Sequence, residues 1–224
     1  MNKKAYLLSI LFFVAFSSVK AQYFEGKITY SIKVNYKGVN SRNKQYYESE
    51  KFGDTMLVYI NKEGFIRREF PTSGRLGGDF NLYNPIENKQ YASFRFTDSI
   101  YWYTADTNFV NDLKIVKCTE QNDMYYNGER LMCIGLSGYD QHLDSPIRSE
   151  YYYLPNRYLF NFKSWLKNKD FLQGSIYGES KSNFMVIHTD YGNYEFTMKA
   201  VSVVESEIDE SKFLIPKNTP MKKQ

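Results

Sequence analysis

Alternation of apolar and polar residues begins just after residue 22 and dominates the rest of the chain. In the first run, one face is apolar with Gly26 in register, and the other carries charged and hydroxyl side chains. A period of two predicts a long antiparallel strand over residues 24–34 with one buried face. The apolar face consists of Phe24, Ile28, Tyr30, Ile32 and Val34.

Shorter runs of the same type follow and are separated by turn residues. Asn61–Gly64 divides two of them and predicts a hairpin, and Pro155 ends a later one. The predicted strands cover residues 56–60, 65–70, 80–83, 90–96, 100–104, 148–154, 184–189 and 194–204, with a short edge strand at 213–215.

One segment departs from this period. Apolar residues between Leu159 and Leu172 fit one helical stripe, and Gly174 is a suitable stop. The chain shows no internal repeat and no clear domain boundary. These features predict a single mainly β (α+β) domain over residues 22–224, with one internal helix and a polar, frayed C-terminal tail from about residue 217.

The first 21 residues have the features of a cleaved export signal. Lys3 and Lys4 precede an apolar run from Leu7 to Phe16, and the small Ala21 suits the residue before the cut. The run has about half of the ~20 residues that span a bilayer, so a membrane anchor is the weaker alternative. We expect an exported mature protein that does not span a membrane. The periplasm is the expected compartment, and the cell exterior is the alternative.

Charge gives no sign of a nucleic-acid partner. The 29 basic and 25 acidic residues give a formal charge of +4, but three lysines belong to the predicted signal. Without Lys3, Lys4 and Lys20 the charge is +1, whereas nucleic-acid binding usually needs a basic face. Aromatic residues make up 18% of the chain, chiefly Tyr and Phe, which favour strands.

The chain has two cysteines, Cys118 and Cys133. They flank Asn127–Gly128, a strong hairpin signal that would place them on opposing arms. We expect a structural disulfide, because exported proteins mature in an oxidising compartment. The spacing does not fit a redox-active C-x-x-C pair, and no histidine lies close enough in sequence to suggest a metal site.

Two short motifs lie at the ends of the predicted mature chain: Gln22–Tyr30 at its start, and Ala200–Val204 followed by Phe213–Pro216 at its end. They resemble the first strand, and the last strand with its closing Phe-x-x-Pro, of exported bacterial proteins similar to the LolA/LppX superfamily of lipoprotein carriers. The resemblance implies a strongly curved antiparallel sheet, an incomplete barrel, with a helix packed on its concave side. It also implies a non-enzymatic protein that carries or senses a lipid or lipoprotein acyl chain.

An apolar groove is the leading candidate site, and a closed core is its alternative. Inner positions of the first and last strands would form the groove, and helix residues would cover it, because burial favours an acyl chain by about 0.8 kcal/mol per CH₂. Arg67, Arg68 and Arg75 could meet an anionic head group, or could simply be surface charges. The predicted groove residues are Ile28, Tyr30, Ile32, Phe196 and Met198, with Trp165 and Leu166 as the cover.

Two other functions remain as alternatives. Tyr101–Tyr103 and Tyr151–Tyr153 could form aromatic surfaces that bind another envelope protein, or could pair across strands in the core. His188 with Asp190 could serve a periplasmic hydrolase, although no nucleophile motif accompanies them, and His142 lies in a polar loop. No catalytic residue, metal or cofactor is predicted, since no fingerprint for any is present.

Overall fold

A computed structural model of the chain describes residues 23–37, 50–106, 110–118, 123–140 and 144–224. The predicted export signal and His142 therefore lie outside the described residues. The strands are β1 (Gly26–Tyr36), β2 (Thr55–Ile60), β3 (Ile66–Glu69), β4 (Gly78–Asn84), β5 (Lys89–Phe94), β6 (Ile100–Thr104), β7 (Val110–Val116), β8 (Tyr125–Tyr126), β9 (Glu129–Arg130), β10 (Met132–Asp140), β11 (Ser145–Tyr153), β12 (Phe184–Asp190), β13 (Tyr194–Glu205) and β14 (Met221–Lys223). The helix α1 (Gln173–Ser180) lies between β11 and β12.

Twelve strands form one sheet in the order β14-β6-β5-β4-β3-β2-β1-β13-β12-β11-β10-β7, and β8 and β9 form a separate hairpin. Every pairing is antiparallel except that of β14 with β6. The central strand β1 joins two wings, one of β2–β6 with β14 and the other of β7 with β10–β13. Within the described ranges β14 and β7 do not pair with each other, so the barrel is incomplete. The predicted fold class is confirmed.

The connection from β11 to β12, residues 154–183, contacts both wings of the sheet. It reaches the first wing where Lys169 N–H donates to the Ala105 carbonyl at 2.6 Å, and α1 contacts β10 in the second wing. The sheet therefore curves around this segment, which we call the cover. Irregular pairing between Thr29 and Tyr30 and between Ser137 and Tyr139 adds local bend and twist. The inner face is the face toward the cover.

The cover differs from the helix predicted over residues 159–172. It contains two 3₁₀ turns, Phe162–Trp165 and Asp170–Leu172, and regular helix begins only at Gln173. Gly174 lies in the first turn of α1 rather than ending a helix. A Cβ atom there would lie 2.4 Å from the Trp165 carbonyl oxygen, so close approach of the backbone favours glycine. The apolar residues of this segment fit the curved inner face, and their burial there overrides helical spacing.

The C-terminal residues run across the outer face of the first wing. Phe213 is buried in a second apolar cluster with Phe80, Leu82 and Ile100. The edge strand predicted at 213–215 is wrong, because a 3₁₀ turn, Glu210–Phe213, occupies its start. The polar tail predicted from about residue 217 is largely exposed, but it does not fray as expected, because its strand β14 pairs with β6.

The disulfide between Cys118 and Cys133 is present, with Cα atoms 6.2 Å apart. It joins the segment just after β7 to β10, and these two strands pair with each other. Asn127 and Gly128 have φ values of 50° and 80° and form the turn between β8 and β9, as a two-residue hairpin requires. The predicted covalent pair is thus confirmed.

Candidate functional site

Five of the seven predicted groove residues share the inner face. Ile28, Tyr30 and Ile32 are buried on β1. On β13, Met198 lies opposite Ile32, and Phe196 lies opposite Val34. Cross-strand partners share a face of the sheet, so the five side chains form one apolar surface. Met198 and Phe196 are half-buried and pack against the main core.

The two predicted cover residues have different positions. Trp165 is completely buried, and its indole Nε1 donates a hydrogen bond to the Gly64 carbonyl oxygen at 2.7 Å. Its ring centroid lies 4.2 Å from that of Tyr83 in the first wing. Leu166, one residue later, exposes 64% of its surface and lies outside the apolar cluster. Trp165 therefore covers the inner face, whereas Leu166 faces solvent.

Aromatic side chains of the cover pack on the apolar part of the inner face, and Phe52 packs against Phe196 at its far end. The ring centroid of Tyr177 lies 4.2 Å from that of Phe160 and 4.9 Å from that of Phe184. Beside them, the Tyr30 hydroxyl donates to the Phe184 carbonyl oxygen at 2.5 Å. Burial raises the pKa of Tyr30, so its hydroxyl stays a neutral donor. With the cover in this position, side chains occupy the apolar groove.

A cleft of about 480 Å³ remains open between the cover and the first wing. Its floor is largely polar. Successive cross-strand partners on the inner face run from Val58 to Arg68, Asn81 and Ala92, and the middle two of these residues are polar. The neighbouring row contributes Gln90, which lies opposite Tyr103. The cover contributes Asp170, Phe171 and Gln173, and Tyr191 comes from the turn between β12 and β13.

Asp170 is the most unusual group of this cleft. It exposes only 7% of its surface, and one carboxylate oxygen, Oδ2, accepts a hydrogen bond from the Tyr103 hydroxyl at 2.8 Å. The other oxygen, Oδ1, is buried and receives no hydrogen bond from any described residue. Burial raises the pKa of Asp170, while the Tyr103 hydrogen bond and the Arg68 charge oppose that rise. Burial also raises the pKa of Tyr103.

The tyrosine run 151–153 does not form an exposed surface. Tyr151 and Tyr152 are buried, and the ring of Tyr151 lies 5.1 Å from that of Phe184. The Tyr152 hydroxyl donates to the buried Glu150 carboxylate at 2.6 Å. The tyrosines of this strand therefore pack in the core rather than on the surface. In the other tyrosine-rich segment, Tyr103 faces the cleft, and Trp102 packs on the opposite, outer face.

The pair His188 and Asp190 lacks the geometry of a catalytic pair. His188 Nδ1 lies 3.0 Å from the Thr197 hydroxyl, on the face of β12 opposite to Ile187 and the inner face. Asp190 instead pairs with Lys37, and its carboxylate accepts a hydrogen bond from the Gly192 N–H. Lys37 and the Gly192 hydrogen bond hold the pKa of Asp190 low against the opposing effect of its burial. No hydrogen bond links the two side chains in the part of the chain that the structure describes.

The three arginines suggested for an anionic partner lie in different environments. Arg68 lines the cleft, whereas Arg67 stacks on Phe80 and pairs with Glu69 on the outer face. Arg75 is exposed.

Among the described residues, no cluster of three or more acidic, His or Cys side chains could hold a metal ion. No helix in those ranges is both long and apolar enough to cross a bilayer.

The cleft residues Asn81, Gln90, Tyr103 and Asp170 were not predicted as a site from the sequence. Two strands do carry a signal for a polar site. Arg68 lies two residues after the buried Ile66, and Asn81 lies two residues before the buried Tyr83, so each shares the face of that buried residue. Polar residues on a buried face of a strand need hydrogen-bond partners, so they indicate either a polar network or a binding surface. Asp170 gives no such signal, because it lies in an irregular segment.

Neither a scan against protein-family models nor a search of curated proteins finds a match. A search of solved structures finds the crystal structure of the Mycobacterium tuberculosis lipoprotein LppX. The two chains are 9% identical, and the alignment covers 93% of this chain and 99% of LppX with a TM-score of 0.35. This level of similarity assigns neither a family nor a ligand to this chain.

Proposed function

We propose that this chain is an exported, non-enzymatic binding protein that takes an acyl chain of a lipid or lipoprotein beneath the cover. The observation that carries the proposal is that an irregular segment, rather than a regular helix, packs on most of the apolar inner face, while Phe52 packs against Phe196 at the far end. When that segment moves outward, it uncovers a continuous apolar surface on β1 and β13. The periplasm is the proposed compartment, and the Cys118–Cys133 disulfide agrees with export to an oxidising one.

Backbone geometry supports movement of the cover. Tyr158, Phe171 and Leu172 have φ values of 49°, 47° and 51°, in the left-handed region that bulky residues rarely adopt. Each such residue costs on the order of 1–3 kcal/mol, and this kind of strain is concentrated in clamps and switch segments. An opened cover would relieve part of that cost, so strain lowers the free energy needed for opening.

The chemistry of the uncovered surface suits an acyl chain. Ile28 and Ile32 supply rigid apolar walls, and Met198, opposite Ile32, supplies a flexible one. Methionine adapts to chains of different shape, and each buried CH₂ favours binding by about 0.8 kcal/mol. An acyl chain that replaces Tyr177 and Phe160 on this surface therefore recovers the burial that cover movement loses.

A disulfide that fixes the cover to the β2–β3 turn tests the proposal. A Cβ atom on Gly64 would lie 3.2 Å from Ser164 Cβ, close to the range of about 3.5–4.5 Å for disulfide partners. The mature protein carrying Gly64→Cys and Ser164→Cys is stripped of lipid and titrated with the fluorescent fatty acid cis-parinaric acid. The two single variants and the wild type, each with and without mild reductant, are the controls.

We expect the oxidised double variant to bind at least about tenfold more weakly than the wild type, and reduction to restore binding. Uptake by the locked variant equal to that of the wild type would show that the fatty acid does not enter beneath the cover. If the wild type itself binds no cis-parinaric acid, palmitate or phospholipid, the acyl-chain proposal is wrong.

A further inference from the structure

Two opposite charges line the polar cleft without a salt bridge to each other. The Arg68 guanidinium lowers the pKa of Asp170 through space, so the two groups interact, but the described residues Arg68 and Asp170 form no salt bridge with each other. No carboxylate of the described residues forms a salt bridge with Arg68. The cleft thus presents a cation, an anion and the space between them.

The hydrogen-bonding needs of the two groups are complementary. Asp170 Oδ1 is a buried acceptor without a donor, and leaving such an atom unsatisfied is unfavourable, more so on a charged group. Arg68 hydrogen-bonds with Tyr177, and the remaining N–H donors of its planar guanidinium fit a carboxylate or a phosphate. An anion alone would be repelled by Asp170, and a cation alone by Arg68. A ligand with a primary ammonium next to an oxyanion satisfies both groups.

We propose that this cleft binds a small zwitterion, with its primary ammonium at Asp170 and its phosphate or carboxylate at Arg68. The amide side chains of Asn81, Gln90 and Gln173 line the same space and complete the polar lining. A volume of about 480 Å³ lies within the usual range of about 300–1,000 Å³ for small-molecule sites. A phosphoethanolamine head group and a free amino acid share the required chemistry.

The site is separate from the proposed acyl-chain site in composition but adjacent to it in space. Burial raises the pKa of Tyr177, which packs in the apolar part, and the charge of Arg68 together with a hydrogen bond from its side chain opposes that rise. A lipid with a zwitterionic head group would therefore occupy both places at once. The zwitterion proposal does not depend on the acyl-chain proposal, since a ligand without an acyl chain tests it.

The test is calorimetric titration of the mature wild-type protein with soluble glycerophosphoethanolamine. Three probes serve as controls: ethanolamine carries only the cation, glycerol 3-phosphate carries only the anion, and glycerophosphocholine lacks N–H donors. We expect glycerophosphoethanolamine to bind at least about tenfold more tightly than each control. Equal binding of glycerophosphocholine would overturn the proposed role of Asp170, because its ammonium cannot donate to Oδ1.

Two further probes identify the source of the zwitterion. Binding of L-alanine as tight as that of glycerophosphoethanolamine supports the zwitterion site and indicates a free amino acid. Tighter binding of lysophosphatidylethanolamine than of glycerophosphoethanolamine, with both detectable, supports it and indicates a lipid. If the lysolipid binds and neither soluble zwitterion does, the zwitterion site is wrong and the acyl-chain site alone remains.

Substitutions then assign the two contacts. Asp170→Asn keeps an acceptor for the Tyr103 hydroxyl but places an amide where a carboxylate oxygen was, and Arg68→Gln removes the cation. We expect each to weaken glycerophosphoethanolamine binding at least about tenfold. Asp98→Asn, at an exposed position in the β5–β6 turn, is the matched control and should leave affinity unchanged. Unchanged affinity in folded Asp170→Asn, checked by circular dichroism, would contradict the proposal.

Discussion

The indole nitrogen of Trp165 donates a hydrogen bond to the carbonyl oxygen of Gly64 at 2.7 Å, across 101 residues of sequence. This contact attaches the cover to the β2–β3 hairpin. Gly64 has a φ of 92°, and a Cβ atom on it would lie 2.1 Å from the Ser164 hydroxyl oxygen. The glycine therefore both completes the hairpin turn and lets the cover approach the backbone closely.

We predict that Gly64→Ala destabilises the protein by about 1–3 kcal/mol, because the added methyl group meets strained backbone geometry and the Ser164 side chain together. Urea unfolding followed by tryptophan fluorescence measures the change. Gly178→Ala is the matched control, since its Cβ atom would meet nothing within 4 Å and α1 would gain a better helix former. A loss of stability at residue 178 equal to that at residue 64 would contradict the close-approach explanation.

Neighbouring residues of the cover should differ sharply in their contribution to stability. Trp165→Ala removes a completely buried side chain and its hydrogen bond, so we expect a loss of about 3–5 kcal/mol. Leu166→Ala removes a side chain that is 64% exposed and should change stability by less than about 0.5 kcal/mol. Urea unfolding followed by circular dichroism measures both variants. Similar losses would mean that Leu166 also packs against the sheet.

The strands were predictable because their burial is periodic and local. In β1 every residue expected to be buried, from Ile28 to Val34, is buried, and the Asn127–Gly128 turn forms where the sequence places it. Alternation in β13 also places Phe196 and Met198 on the inner face, beside Ile32. These features depend on residues two positions apart or on a single turn.

The cover and the polar cleft were not predictable in the same way. The apolar residues of 159–172 fit a helical stripe, yet they fold into 3₁₀ turns because the curved sheet determines which side chains are buried. Asp170 becomes a candidate only through Tyr103, 67 residues away, which supplies its hydrogen bond. Contacts of this range come from the arrangement of the wings, which no local pattern encodes.

The disulfide should contribute measurably to stability. Cys118 and Cys133 close a loop of 15 residues, for which the chain-entropy model gives about 3 kcal/mol. We predict that Cys118→Ser with Cys133→Ser loses roughly this amount in urea unfolding. Reductant should lower the stability of the wild type to that of the double variant and leave the double variant unchanged. An effect of reductant on the double variant would show that another process is involved.

The buried carboxylate of Asp170 should make stability depend on pH in a definite direction. Its pKa is raised in the folded state by burial, and Tyr103 and Arg68 offset only part of the rise. Below the unfolded-state pKa of about 3.9, both states hold the proton and the group has no effect. Above that value the unfolded chain releases this proton more readily than the folded protein does. The free energy of unfolding therefore falls as the pH rises from the unfolded-state pKa to the higher folded-state pKa.

Asp170→Asn removes this ionisation and still offers an oxygen to the Tyr103 hydroxyl. We therefore predict that the stability of the variant relative to the wild type increases from pH 4 to pH 7, and that the variant is at least as stable at pH 7. Urea unfolding at several pH values, with the exposed Asp98→Asn as control, measures the difference. A variant that is less stable at pH 7 would show that Arg68 stabilises the ionised carboxylate by more than burial costs. Increased stability with loss of zwitterion binding would indicate that the buried charge is kept for binding rather than for the fold.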